Sequence, residues 1–140
     1  MASAAVLYTP QVLALATALA RWPLGDDLPL RGSARSPACG SRIELGLTCG
    51  ADGRIERIGL RAQACAVGQA SAAIFAGAAN GRDRADLAAA LAAIEAWLRG
   101  ESDLPDWPGL SAIAAAQAYP GRHGAILLPW KAALEALPTA

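Results

Sequence analysis

The chain has 140 residues, of which 54% are hydrophobic and 17% are charged. This predicts a single domain over 1–140, with enough apolar side chains to build a core without disulfides. Twelve basic and twelve acidic residues are spread along the sequence and give no net charge. No nucleic-acid or anionic-membrane surface is therefore predicted. Three cysteines, an odd number, argue against a disulfide framework and favour a reducing, cytoplasmic location.

The first predicted element is a surface helix from about Pro10 to Ala20, capped by Thr9, with proline in its first turn. No basic residue precedes Arg21, so the apolar stretch does not fit a signal peptide, and it is too short to span a bilayer. The Pro- and Gly-rich segment that follows reads as a connector with a short edge strand near Leu28–Arg31.

A β-hairpin is predicted next, because apolar and polar residues alternate over 42–49 and, less regularly, over 54–62. The intervening residues 50–53 contain two glycines and an aspartate, which suit a tight turn with an Asx hydrogen bond. Ile55 is out of phase with the later apolar residues of its strand, and a β-bulge would reconcile them.

Two cysteines flank this hairpin. With the turn centred near Asp52, the predicted register places Cys39 opposite Cys65 at the open end, while Cys49 lies near the turn. Cys39 and Cys65 are therefore a candidate site, and Cys49 is predicted to belong to the core.

The rest of the chain is predicted to be helical. A helix rich in small residues follows Cys65 and ends at Asn80-Gly81, and a second covers about 84–99, capped by Asp83. Two shorter helices are predicted over Leu110–Ala118 and Pro129–Leu137. The fold class is therefore α+β, a small antiparallel sheet with helices packed on one face.

A thiol needs to ionise before it acts as a nucleophile or a metal ligand. Cys65 begins a predicted helix, whose dipole and free N–H groups favour the thiolate, and Gly40 after Cys39 permits close approach of a metal or a sulfur donor. The alternative is that both are buried small hydrophobic residues, the commonest fate of free cysteine.

Three blocks of the sequence carry a resemblance to a known family. They are Pro37–Ile43 (PACGSRI), Ala64–Ala72 (ACAVGQASA), and Pro120–Ala125 (PGRHGA) followed by Leu128–Ala132 (LPWKA). Their order and the hairpin between the first two resemble the U-type iron-sulfur cluster assembly scaffolds, namely IscU, SufU and the N-terminal domain of NifU. The resemblance spans about residues 8–137 and implies a three-stranded SufE/NifU-like fold and a protein that is not an enzyme.

The resemblance also implies a ligand set. In that family three cysteines and an aspartate or histidine surround an iron-sulfur cluster or a zinc ion. The first two cysteines correspond to Cys39 and Cys65, the aspartate to Ser41, and the third cysteine to Ala125, which cannot bind metal. The chain thus resembles a divergent relative, in which His123 and Ser41 are weak candidate ligands. His123 would be a substitute imidazole ligand, and the alternative is that it is only a polar loop residue.

Three functional hypotheses follow from the resemblance. The first is a scaffold-like protein that takes persulfide sulfur, iron or a cluster on Cys39 and Cys65, works with a cysteine desulfurase and acceptor apoproteins, and acts as a monomer or a homodimer. Two chains would together supply four thiolates for a cluster. The second is a metal-free relative acting as an interaction or sulfur-carrier module for a desulfurase. The third is a thiol enzyme or sulfurtransferase that uses Cys65 with His123 as base.

Overall fold

A computed structural model describes residues 7–138, which contain four α-helices, three β-strands and three short 3-10 segments. The helices and strands are α1 Pro10–Ala18, β1 Leu30–Arg35, β2 Arg42–Cys49, β3 Ile55–Gln63, α2 Ala66–Ala78, α3 Arg84–Leu98 and α4 His123–Ala136. The 3-10 segments are Leu19–Arg21, Leu110–Ala118 and Pro120–Arg122. The predicted α+β class and three-stranded antiparallel sheet are confirmed. The single-domain prediction extends over residues outside the described range and stays a prediction.

The sheet is fully antiparallel in the order β1-β2-β3. The predicted bulge is present: Thr48 pairs with Arg57 but Cys49 pairs with Ile55, so Glu56 is the extra residue on β3. This extra residue makes the predicted register wrong by one residue through most of the hairpin. Arg42 faces Gln63, whereas the predicted register pairs it with Ala62.

The hairpin turn has the predicted chemistry. The Arg54 amide donates to Asp52 Oδ1 at 3.0 Å, which is an Asx turn, and Gly53 has a φ of +76°. These local contacts fix the turn between β2 and β3 at the end of the sheet away from Cys39.

One face of the sheet packs against helices, as predicted. Ile43, Leu45 and Leu47 alternate inward along β2 and are almost fully buried. Helix α4 lies across β1 and β2, and α2 contacts β3 and α4. Phe75 of α2, Trp130 of α4 and Trp107 form one aromatic cluster with ring centroids 5.2 to 5.6 Å apart.

The opposite face is covered in its middle by the connector between α1 and β1. Gly46 and Gly59 are cross-strand partners on that face, and a Cβ built on Gly59 would lie 2.2 Å from the Pro23 carbonyl oxygen. The connector also reaches the outer edge of β3, where the Leu60 amide donates to the Trp22 carbonyl at 2.8 Å. Because both glycines lack side chains, the connector can lie directly on the strands.

Two predicted boundaries are wrong. The first strand is Leu30–Arg35 rather than a short piece near 28–31, because pairing with β2 continues up to Arg35 opposite Arg42. The last helix starts at His123, and Pro129 lies inside it rather than in its first turn. Burial of the apolar face of α4 outweighs the backbone hydrogen bond that proline cannot make. Near this point the Ser71 hydroxyl donates to the Ile126 carbonyl at 2.7 Å and joins α2 to α4.

Candidate functional site

Cys39 lies in the tight turn between β1 and β2, which we call the thiol turn (residues 36–41). Two backbone hydrogen bonds close it: the Ser36 amide donates to the Ser41 carbonyl at 2.8 Å, and the Gly40 amide donates to the Ser36 carbonyl at 2.9 Å. Gly40 has a φ of +72°, which suits glycine. Cys39 therefore lies beyond the end of the sheet, and Cys39 and Cys65 are not cross-strand partners as the predicted register had them.

The Cys39 thiol is surrounded by groups that favour its ionised form. The side chains of Ser36 and Ser41 are both 4% exposed, and Cys39 Sγ lies 3.1 Å from Ser41 Oγ. Hydrogen bonds from the Ser36 and Ser41 hydroxyls lower the pKa of Cys39. Burial opposes them, and the Ser41 backbone and the positive charge of Arg122 add smaller lowering effects. Half-exposed and biased toward the thiolate, Cys39 fits the description of a reactive cysteine.

The first turn of α4 contacts the thiol turn. A Cβ built on Gly124 would lie 2.2 Å from Ser36 Oγ, so only glycine lets the helix come this close to the buried hydroxyl. Arg122, at the start of α4, stands where a positive charge opposes the helix dipole. Its position is better explained by the neighbouring Cys39 than by the stability of the helix.

Cys65 occupies the N-cap position of α2, as predicted, and its side chain makes no capping hydrogen bond. A Cβ built on Gly68, one turn along α2, would lie 3.2 Å from Ala125 Cβ and 3.8 Å from Cys65 Sγ. The side chain at position 125 is therefore a neighbour of Cys65. The thiol turn, the start of α2 and the start of α4 thus meet at one end of the molecule.

His123, a predicted ligand, is the first residue of α4, but its ring is already engaged. Its Nε2 lies 2.8 Å from the Gln117 carbonyl oxygen; since a carbonyl only accepts, Nε2 carries the proton and Nδ1 is left as an acceptor. Within residues 7–138, no three His, Cys, Asp or Glu side chains are grouped so that they could hold a metal ion. Cys39, Cys65 and His123 accordingly do not form such a group.

Cys49 is separate from this site, as predicted. It lies at the bulge near the far end of the hairpin, half-buried against the core. Burial, followed by the nearby carboxylates of Glu56 and Asp52, raises the pKa of its thiol. All three cysteines are free thiols, so Cys49 serves as an internal reference for the reactivity of Cys39.

Ser36 and Arg122 were not singled out by the sequence as members of the site. Ser36 immediately precedes the first block, and Arg122 lies within the third block, next to His123. A polar residue in or beside one of these blocks is the only indication in the sequence. The contacts in the folded chain show that both residues act on Cys39.

Selective alkylation tests the environment of Cys39. Near neutral pH we expect iodoacetamide to modify Cys39 faster than Cys49, because the first pKa is lowered and the second raised. The difference should shrink as the pH rises and both thiols ionise. Replacing Ser41 with alanine should slow the neutral-pH reaction of Cys39 by about three- to tenfold, since one hydrogen bond to the thiolate is lost. Peptide mapping by mass spectrometry measures the rates, and equal rates for Cys39 and Cys49 would contradict the assignment.

The fold defines a class. A three-stranded antiparallel sheet backed by helices on one face is the fold of the U-type iron-sulfur cluster scaffolds. No protein-family model matches the sequence, and no curated protein matches it. No helix in the described range is long and apolar enough to cross a membrane.

Three solved structures are similar to this chain. A nitrogen-fixing NifU-like protein (N-terminal) from Brucella abortus superposes with a TM-score of 0.84 at 24% identity, covering 94% of this chain and 92% of that one. A putative iron-sulfur cluster assembly scaffold protein for the SUF system from Fervidobacterium islandicum superposes with a TM-score of 0.84 at 18% identity, covering 98% of this chain and 100% of that one. A hypothetical protein matches with a TM-score of 0.73 at 20% identity, over 89% and 95% of the two chains. At these identities the likeness establishes the fold.

Proposed function

We propose that the chain is a divergent iron-sulfur cluster assembly protein of the U-type scaffold fold, whose Cys39 accepts persulfide sulfur from a cysteine desulfurase. Cys65 is the second thiol of the same site. The role is that of a carrier or scaffold in the cytoplasm, not of an enzyme, and acceptor apoproteins are its downstream partners. The shared fold with a protein named as a cluster assembly scaffold supports the general role.

The environment of Cys39 carries the specific part of the proposal. Two buried hydroxyls and the Arg122 guanidinium favour the thiolate of Cys39, which is the nucleophilic form of cysteine. Ser41 is a candidate metal ligand in the sequence, but here the Cys39 thiol donates to its hydroxyl over 3.1 Å. Once Cys39 is ionised, the hydroxyl donates to the thiolate instead. A neutral hydroxyl at position 41 also does not repel the Cys39 thiolate, whereas a carboxylate there would.

The proposed transfer is a single thiol-disulfide type exchange. The Cys39 thiolate attacks the terminal sulfur of a cysteine persulfide on the donor protein, the donor's S–S bond breaks, and its cysteine leaves as a thiolate. A new S–S bond forms on Cys39, which becomes the persulfide, so one sulfur atom moves and no oxidant or reductant is consumed. Arg122 and the Ser36 hydroxyl stay close to the negative charge throughout.

Iron or a cluster would be cargo, and one chain is poorly equipped to hold it. Clusters are usually held by four thiolates, whereas this site offers Cys39 and Cys65, with Ala125 supplying no donor and the His123 Nε2 bonded to a carbonyl. Iron, zinc or a cluster bound at Cys39 and Cys65 is therefore proposed only where a second copy brings its own pair, as a homodimer would.

Sulfur acceptance can be measured directly. The purified chain is incubated anaerobically with a cysteine desulfurase and cysteine, and intact-mass spectrometry with peptide mapping locates added sulfur. We expect a gain of one sulfur atom on Cys39 in the native chain and in Cys49→Ala, and none in Cys39→Ala. Labelling of Cys49 to the same extent, or a Cys39→Ala variant that still gains sulfur at Cys65, would overturn the assignment to Cys39.

Reconstitution with iron and sulfide tests the cargo. The native chain, Cys39→Ala and Cys65→Ala are compared by absorbance, bound iron and sedimentation. A chromophore that requires both cysteines and appears only in the dimer would support the two-chain cluster. Absence of sulfur, metal and chromophore in every variant would contradict the proposal and favour a metal-free interaction module.

A further inference from the structure

The two edges of the sheet differ in how their backbone groups are satisfied. On the outer edge of β3, the Leu60 amide donates to Trp22 and the Ile55 amide donates to the Arg82 carbonyl at 2.9 Å. Within residues 7–138, no backbone segment pairs with the outer edge of β1. β3 is thus a covered edge and β1 an open one, which is a template for another strand.

The outward-pointing amide of Ser33 marks the centre of this open edge. It donates to Glu135 Oε1 over 3.4 Å, a long contact with an exposed side chain from α4. Such a bond is weak and easily exchanged for a backbone carbonyl. An open groove of about 860 Å³ runs along β1 from Asp26 to Arg35, with Glu135 among its lining residues. Glu135 therefore acts as a displaceable cap on a strand edge.

Charge decides what can pair with this edge. Arg31, Ser33 and Arg35 share the sheet face opposite the helices, by alternation along β1. The Arg31 guanidinium donates to the Gly25 carbonyl at 2.5 Å, and Arg35 has no ion pair or side-chain hydrogen bond with any described residue. Neither arginine forms a close ion pair with a described carboxylate, but Asp27, which is paired with Arg57, lies near enough to Arg31 to feel its charge.

Self-pairing of β1 is disfavoured by the same residues. An antiparallel pair of two copies centred on Ser33 would put Arg31 of each opposite Arg35 of the other, and like charges directly opposite each other destabilise a ladder. The carboxylates along the groove leave the arginines in excess, since Glu44 is paired with Arg61 at 3.7 Å and Glu135 is the group that an incoming strand displaces. Asp27 is likewise paired with Arg57, so Asp26 is the lining carboxylate that remains to oppose an acidic ligand.

We propose that the outer edge of β1 binds an extended acidic segment of a partner protein as a fourth β-strand. Its acidic residues lie four positions apart, opposite Arg31 and Arg35, with a small polar residue between them opposite Ser33. The intervening residues are apolar and small, beside Gly32 and Ala34. Main-chain hydrogen bonds supply the affinity, and the two arginines supply the sequence preference.

A labelled synthetic peptide of the pattern Thr-Glu-Val-Ser-Val-Glu-Thr is the probe, measured by fluorescence anisotropy at low salt. Ser33→Pro removes the N–H at the centre of the edge and should weaken binding by about tenfold or more, whereas the control Ser33→Ala keeps the N–H and should bind like the native chain. Arg35→Glu should weaken binding by about tenfold and flatten its salt dependence. Glu135→Ala should strengthen binding severalfold, because both the cap and a repelling charge are gone.

Amide hydrogen exchange adds a readout that does not depend on any variant folding. The peptide should slow exchange at Ser33 and leave Leu60 unchanged. Cys39→Ala should bind the peptide normally, so a failure here is separable from a failure of sulfur transfer. Unchanged exchange at Ser33, equal binding of a lysine-for-glutamate peptide or of oligothymidylate, or occupation of the edge by a second copy in sedimentation experiments would overturn the proposal.

Discussion

Replacing Gly32 with valine is expected to destabilise the fold by about 3 kcal/mol or more, because α4 lies directly on this residue. A Cβ built on Gly32 would lie 2.0 Å from the Ala132 carbonyl oxygen and 2.8 Å from the Ala136 amide nitrogen. Both are backbone atoms in the last two turns of α4, so they cannot move aside as a flexible side chain would. The helix would have to lift from β1, which would loosen the packing of its buried face.

Urea denaturation followed by tryptophan fluorescence measures the effect. Gly77→Ala is the matched control, since a Cβ there meets nothing within 4 Å and the residue lies inside α2. That variant should be more stable than the native chain by about 0.5–1 kcal/mol. A Gly32→Val chain with an unchanged denaturation midpoint would show that α4 does not press on β1 as described.

The double variant Ser41→Asp with Ala125→Cys is expected to bind about one zinc ion per chain more tightly than the native chain, by at least about a hundredfold. The new thiol would lie beside Cys65, whose sulfur and Ala125 Cβ both approach the Gly68 position within 4 Å. The new carboxylate would lie beside Cys39, where Ser41 Oγ now is. Three thiolates and one carboxylate complete the ligand number that zinc prefers.

Competition with a chromophoric chelator measures the affinity, and Ser41→Asn with Ala125→Ser is the control of similar size without the new charged ligands. The added sulfur at a position that is 1% exposed should cost about 1–3 kcal/mol of stability in the metal-free state. Zinc should restore it by mass action. A folded double variant with no gain in zinc affinity would contradict the placement of residue 125 beside Cys65.

The parts of the fold that sequence predicts well are those governed by local chemistry. The alternation in β2, the Asx turn at Asp52, the Thr9 and Asp83 caps and the helix after Cys65 all depend on neighbouring residues, and all are present. The bulge was also readable, because Ile55 broke the alternation. The register is predicted less well, because counting outward from the turn assumes equal numbers of residues on the two strands, whereas Glu56 is an extra residue on β3.

The parts that sequence predicts poorly depend on contacts between distant segments. Pro129 indicates a helix start by local preference, yet burial of α4 against the sheet carries the helix through it. The resemblance drew attention to Cys39, Cys65, His123 and Ser41 as ligands. The groups that lower the pKa of Cys39 are Ser36 first, then Ser41, with a smaller effect from Arg122. Hydroxyl and guanidinium neighbours leave no spacing pattern in a sequence, so only the packing of α4 on the thiol turn identifies them.

The covered edge of β3 limits how large any sheet-mediated assembly can become. A sheet whose two edge strands are both free can add further strands on either side and so extend without limit, which is the geometry of fibres. Here the Trp22 and Arg82 carbonyls occupy the β3 side, so addition is possible only along β1. Because each copy offers a single open edge, copies of this chain cannot propagate a continuous sheet by adding to one another on both sides.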